Sequence, residues 1–347
     1  MQFNIDQDSG DFVAGWIVPN TPNATPSIKV VINGEEVAVI VANVNRTDIK
    51  DLGLHSTGLI GFHLDEDNLP GITTAVDLQI VDQETGVLVH RRSAAPFLIE
   101  QRVMFFNLCV VPQIRMRNEA ASLFALSYAN SERINYETLY SILRNHHAQS
   151  VFVMGRTNHN RISEALSSSG YKRLALLREP LVELAERLIL IKQISRSTKR
   201  SMLENLVFGV ENLFSFVETA NLEEEASLRD AFAQMRPQQI RAVADPFLSA
   251  LVCDAGDEPE ERHVSLALDR LAEFDAIGIE ERMDAFNICV EEAIGRNIFA
   301  AYESYQLPGS IELAERLRNI DRVAEYLEYD TVFYREVRGV IDREFAH

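Results

Sequence analysis

The sequence predicts an α/β domain over residues 101–347, a parallel sheet with flanking helices, preceded by a small all-β sandwich module over residues 1–100. Three observations predict this. In the first hundred residues short apolar runs alternate with turn signals and no long helical pattern occurs. Beyond residue 101 short apolar β runs alternate with amphipathic helices, the pattern of parallel strands joined by crossover helices. At 347 residues, the chain also exceeds the ~250–300 at which one hydrophobic core usually splits.

Residues 12–18 are apolar and carry the only tryptophan, Trp16. A Pro/Asn/Thr stretch at 19–26 interrupts them. Residues 28–32 and 35–42 flank Asn33-Gly34, a strong hairpin signal because both turn residues adopt positive φ readily. Residues 74–82 and 86–91 predict a second hairpin around Gln83-Glu84-Thr85. In the larger domain, 105–111 predicts a linking strand and 119–144 helices. Residues 150–155 form an apolar β run, then a polar loop and a helix with Ile162, Ala165, Leu166 and Ser169 on one face. A second β run at 173–177 leads directly into a helix from Pro180, where proline suits the first turn. Most of the chain to 272 reads as amphipathic helix. Residues 274–278 predict a further short strand before a helix from Glu280, and 310–347 is helical.

The formal charge of −19 repels phosphate backbones, so nucleic acid is not an expected partner. Residues 171–204 depart from this. Eight basic residues (Lys172, Arg173, Arg178, Arg187, Lys192, Arg196, Lys199, Arg200) face four acidic ones, Glu179, Glu183, Glu186 and Glu204. Such an island either receives an anionic ligand or is a solvated helix face. Cys109, Cys253 and Cys289 are widely spaced, form no metal-binding pattern and suit free thiols in a reducing cytoplasm. No metal is expected. The first ten residues lack the apolar segment of a signal peptide, and no apolar run reaches the ~20 residues that span a bilayer. The expected location is cytoplasmic.

The segment richest in chemistry is 151–166. Apolar Val151-Phe152-Val153-Met154 leads into Gly155-Arg156-Thr157-Asn158-His159-Asn160, where a helix begins. A loop so placed aims N–H groups and the positive end of a helix dipole at one point, which suits phosphate or sulfate. Arg156 adds a charge-assisted contact, and Thr157, Asn158 and Asn160 supply hydrogen bonds. The residues leave open a plainer role, in which Asn158 or Asn160 caps the helix.

Four segments, in order, resemble the sulfotransferases. Gly155-Arg156-Thr157 is similar to their phosphosulfate-binding loop, where Lys or Arg precedes Ser/Thr-Gly-Ser/Thr-Thr. Leu174-Ala175-Leu176-Leu177-Arg178-Glu179-Pro180 resembles a strand ending in Arg-Asp-Pro. Phe274-Asp275-Ala276-Ile277-Gly278-Ile279-Glu280 is similar to Phe-x-x-Val-Gly-Leu-x-Glu, and Tyr329-Asp330-Thr331-Val332-Phe333-Tyr334 to a C-terminal Asp-x-x-Leu-Tyr helix. The resemblance spans about residues 150–345. It implies a P-loop-like fold that transfers a sulfuryl group, without a metal, from the co-substrate 3′-phosphoadenosine 5′-phosphosulfate to a glycan or small hydroxylated acceptor. Carried over, Arg156 neutralises the phosphosulfate, Thr157 bonds it and Arg178 holds the 3′-phosphate. The chain departs from the pattern where the loop glycine falls at Asn158, the next Ser/Thr at His159 and the threonine at Asn160. The serine usual eight residues after the arginine falls at Glu186, whose carboxylate repels a phosphate.

His159 is then a candidate base for the acceptor hydroxyl, its pKa range suiting the task; an exposed or helix-capping loop histidine is the alternative. The first module resembles a β-sandwich attached to bacterial glycosyltransferases and related glycan-modifying proteins, through Gly15-Trp16, Asn33-Gly34, Asn45-Arg46-Thr47-Asp48-Ile49, Gly58 and Gly61-Phe62. That implies sugar binding at Trp16 and Phe62, against core packing and a structural Arg46–Asp48 ion pair. Two functions are expected: a sulfotransferase-like enzyme, or a decayed sulfotransferase fold retained with a protein partner as a binding or scaffold component of glycan assembly. No Gly-x-x-x-x-Gly-Lys-Ser/Thr sequence supports nucleoside triphosphate hydrolysis.

Overall fold

The computed structural model describes every residue except Val110, Pro112, Asn205, Leu206, Ala255, Ala301, Glu303, Ser304 and His347. Three predicted segments therefore lie partly outside the described residues: the 105–111 strand at Val110, the helical stretch to 272 at Asn205, Leu206 and Ala255, and the C-terminal helix at His347.

The first module is built from β1 (Gln2–Asp8), β2 (Val13–Val18), β3 (Ser27–Ile32), β4 (Glu35–Val41), β5 (Val44–Asn45), β6 (Leu59–Leu64), β7 (Asp77–Asp82) and β8 (Leu88–Ser93). They pair as two antiparallel four-stranded sheets, β1-β2-β6-β5 and β4-β3-β7-β8. Both expected hairpins form. Asn33 and Gly34 take φ of 51° and 87°, the handedness that matches the twist of paired strands. β1 was not among the expected strands, yet its first half alternates: Phe3 and Ile5 are buried between less buried Gln2, Asn4 and Asp6, and the alternation breaks at a register shift between Ile5 and Gln7. Its terminal Asp8 accepts from His90 Nε2 at 2.7 Å and from Arg92 Nη1 at 2.8 Å, both on β8.

The remaining strands are β9 (Arg102–Asn107), β10 (Leu126–Ala129), β11 (Val151–Gly155), β12 (Lys172–Leu177) and β13 (Ala276–Ile279). They form one parallel sheet in the order β10-β11-β9-β12-β13. β9 and β11 are buried at every position, as expected for parallel strands covered on both faces. β10 corrects the reading of 119–144 as helix. Leu126 and Tyr128 are buried and Ser127 and Ala129 only partly so, a two-residue period too short to stand out between the helices Ile114–Ala121 and Tyr136–Leu143. At 274–280 the strand starts two residues late, and a 3-10 turn, Glu280–Arg282, precedes the helix Met283–Ile294.

By its internal contacts the chain divides into two units. One comprises Met1–Val103, Ala120–Val153 and Glu164–Tyr171; the other Met104–Glu119, Met154–Ser163 and Lys172–His347. The second unit has a helical core in which Leu184, Leu188, Ile191, Phe216, Phe232, Leu313 and Leu317 pack together. Its helix Pro180–Arg196 starts with proline and is capped by Glu179, whose side chain accepts from the Val182 N–H at 2.7 Å. Among the described residues no helix is long and apolar enough to cross a membrane.

Candidate functional site

In open parallel sheets ligands bind at the carboxyl ends of the strands, and the sequence candidates leave β11 and β12 at those ends. Each strand stops where its run of apolar side chains stops. Arg156 and Thr157 follow Gly155, the last residue of β11, and Arg178 follows Leu177, the last residue of β12. Glu280 likewise follows β13.

Arg178 is buried and so is Glu186, two turns into the helix that follows. Arg178 Nη1 donates to Glu186 Oε2 at 2.6 Å. The guanidinium also donates to the main-chain oxygen of Tyr305 and lies 3.9 Å from Glu280 Oε2. Glu186 Oε1 accepts from the Leu307 N–H at 3.0 Å. Burial pushes the Glu186 carboxyl up to about 7, against the pull of Arg178 and that N–H, with Glu280 and Glu183 adding to the push. The Arg178 guanidinium stays charged, because Glu280 and Glu186 outweigh its own desolvation.

The network continues past the residues that sequence reasoning picked out. Glu280 Oε1 accepts from Gln113 Nε2 at 3.0 Å, and the Tyr302 hydroxyl donates to Gln113 Oε1 at 2.6 Å and lies 3.3 Å from Glu280 Oε1. The Cys109 thiol lies 3.9 Å from Glu280, and burial pushes its pKa well up, so it is held as the neutral thiol. Glu280 had a visible signal, a carboxylate directly after a strand. Gln113 and Tyr302 had none.

The β11 loop is bound elsewhere. Arg156 Nη2 donates to the Phe208 main-chain oxygen at 2.6 Å. Asn158 Nδ2 donates to the oxygens of Ser249 and Cys253, and Asn160 Nδ2 to that of Val252. Asn158 Oδ1 accepts from the Arg161 N–H at 3.2 Å, which caps the helix His159–Ser168. Thr157 is half-buried beside them. The loop positions where a phosphosulfate was expected are thus engaged by carbonyls of 208 and 249–253. Arg156 and Arg178 are held by different segments.

His159 is corrected on both of its readings. Its ring is fully buried between Phe106 and Phe274, with centroids 5.4 and 5.5 Å away. Neither ring nitrogen has a hydrogen-bond partner among the described residues. Burial, with Arg270 and Arg173 nearby, lowers its pKa to about 4. A fully buried ring with neither nitrogen hydrogen-bonded among the described residues is not presented to an acceptor hydroxyl. It is a core side chain.

No protein-family model and no curated protein matches the chain. Among the described residues no group of three or more His, Cys, Asp or Glu is placed to hold a metal ion.

In the first module the residues of the sugar-associated motif are tied together. Phe62 is core. Gly15 is required by a close approach: a Cβ there would meet the Asn4 oxygen at 2.5 Å and the Phe62 ring at 2.9 Å. Arg46 lies 5.9 Å from the Trp16 ring centroid and makes a two-point contact with Asp48, 3.0 and 2.7 Å, while Nη1 reaches Asp6. That contact holds the Asp48 carboxyl down at about 2.

Proposed function

We propose that this chain is a sulfotransferase-like protein whose donor site is closed by its own side chains, and that it serves as a binding or scaffold component of a glycan-assembly system. The observation that carries this reading is the buried Arg178–Glu186 ion pair at 2.6 Å. In the resemblance, Arg178 is the residue that holds the nucleotide 3′-phosphate. Here a phosphate would have to displace a carboxylate and leave it buried without its partner, a loss of about 3–5 kcal/mol. The bonds of Asn158 and Asn160 to main-chain oxygens support the same reading, since they occupy the loop donors a phosphosulfate would use.

Calorimetry with 3′-phosphoadenosine 5′-phosphate tests it. The wild-type chain gives no binding at ~1 mM nucleotide, the scale of about −4 kcal/mol. Glu186→Ser, which removes the competing carboxylate, gives measurable binding. Micromolar binding by the wild type, abolished in Arg178→Ala, would overturn the proposal. Capture from native extract checks the second half: a stable partner is expected, and the chain alone together with sulfated product would refute it.

A second reading is favoured by the pKa of Glu186. Near pH 7 its carboxyl is half protonated, and the neutral acid leaves Arg178 available to a dianion. On that reading the chain transfers a sulfuryl group from 3′-phosphoadenosine 5′-phosphosulfate to a glycan or small hydroxylated acceptor under mildly acidic conditions. Nucleotide binding that appears at pH 6 and vanishes at pH 8 distinguishes it from permanent closure.

A further inference from the structure

The basic stretch at 171–204 is only partly used by the site above. Its later residues open onto a separate cleft of about 670 Å³. The walls are the second half of the helix Pro180–Arg196, residues 218–223, and the start of the helix Ser310–Arg318. Lys192, Arg196 and Arg316 line it, with Glu218 and Glu223.

The donors of these cations are only partly used. Lys192 Nζ donates to the main-chain oxygens of Val217 and Ala220, which leaves one of the three ammonium N–H groups. Arg316 Nη1 donates to the Leu222 oxygen at 3.3 Å, which leaves most of its fork. Arg196 is exposed and makes no hydrogen bond or ion pair among the described residues. Glu218 is already bonded to Arg200 at 2.7 Å. Burial, and then the like charge of Arg196, lower the pKa of Lys192, so cations crowd here beyond what Glu218 offsets. Gly309, also in the wall, starts its helix without a side-chain cap, which adds partial positive charge.

Arg200 is shared between Glu218 and Glu204 at 2.7 and 2.6 Å, and in the lining three cations stand against two carboxylates, Glu218 and Glu223, so the cleft keeps a net positive charge. The open donors come from three separate cations, which outnumber the two oxygens of a carboxylate and suit the three of a phosphomonoester. The volume lies within the ~300–1,000 Å³ of small-molecule sites. Leu222, Ile189 and Leu313 provide apolar contact, and Asn221 and Gln193 polar groups. We propose that this cleft binds a phosphomonoester of a small polar molecule, its phosphate held by Lys192, Arg196 and Arg316. The cleft shares no residue with the Arg178 site, so the inference stands apart from the function proposed above.

Calorimetry with glucose 6-phosphate, glucose and inorganic phosphate on the full chain tests it. Glucose 6-phosphate is expected to bind, inorganic phosphate to bind more weakly, and glucose not at all. Arg196→Glu, on an exposed side chain, leaves the thermal midpoint in place and weakens glucose 6-phosphate at least about tenfold, equivalent to about 1.4 kcal/mol. Equal affinity in wild type and Arg196→Glu overturns the proposal, as does the absence of binding at ~10 mM ligand, an affinity weaker than about −3 kcal/mol. Arg316→Gln gives an independent check, with the same weakening expected and unchanged affinity counting against the site.

Discussion

Replacing His159 with leucine should make the protein more resistant to acid. The imidazole lies between Phe106 and Phe274 with no hydrogen-bond partner for either nitrogen among the described residues, and its pKa falls from 6.5 to about 4. A depressed folded-state value means that the unfolded chain binds the proton first as pH drops. The stability that the neutral ring provides is fully present above pH 6.5 and is lost as pH falls from there to about 4, at about 1.4 kcal/mol per pH unit. At pH 5 the loss is about 2 kcal/mol, and at pH 4 about 3 kcal/mol. Leucine has a similar volume and nothing to protonate, so His159→Leu omits this loss. At pH 7 it also removes an unsatisfied buried N–H, so the variant should equal or exceed the wild type. Urea midpoints of both proteins at pH 7.5, 6, 5 and 4.5 give the measurement. Other carboxylates titrate in both proteins and cancel in the difference. A difference that stays constant across the series would refute the reasoning, because the ring would then be solvated or paired.

Two further changes probe the packing around the sites. Asp330 is fully buried, accepts from the N–H groups of Phe247 and Leu248 at 2.8 and 3.0 Å, and donates its own N–H to Asp245. Asp330→Ala strands both N–H groups at the start of the helix Pro246–Leu251 and should cost about 2–4 kcal/mol in urea unfolding; a loss under ~0.5 kcal/mol, the range of an ordinary surface change, would show the cap to be dispensable. Gly15→Ala should cost about 1–3 kcal/mol, because its Cβ has no room between Asn4 and Phe62. An unchanged melting temperature would mean that β1 and β2 can part there freely.

The parallel strands were legible where burial on both faces left an uninterrupted apolar run. Val151 to Met154 and Leu174 to Leu177 have no polar residue to blur the signal. β10 and β1 were not, because four or seven residues of half-apolar alternation resemble one turn of helix or a polar terminus. Asn33-Gly34 announced its turn because only a few residue types adopt both dihedrals. In the site, the spacing of Arg178 and Glu186 was visible and their opposition to a phosphate could be inferred. The partners of Glu280 could not. Gln113 and Tyr302 lie 167 and 22 residues away from it in sequence, and no local pattern marks a side chain that meets its partner only through the fold. The same holds for His159, whose polar loop concealed an aromatic slot made by residues 106 and 274.

The helix Pro180–Arg196 explains why a motif can survive while its binding role changes. It buries Glu183, Glu186 and Arg187 along with its leucines, a set of charges that costs stability unless each is paired. Arg187 and Glu183, one turn apart, bond to each other. Glu186 has no basic neighbour one turn away on its own helix, and the cation that reaches it is Arg178, from the end of the preceding strand. Two guanidinium groups are thereby each set against a carboxyl in the interior, with Glu280 and its hydrogen bonds beside Arg178. Withdrawing Arg178 toward a ligand would leave Glu186 to take up a proton. Closure of this site and the pH at which Glu186 titrates are therefore one property, and a serine at 186 should abolish both together.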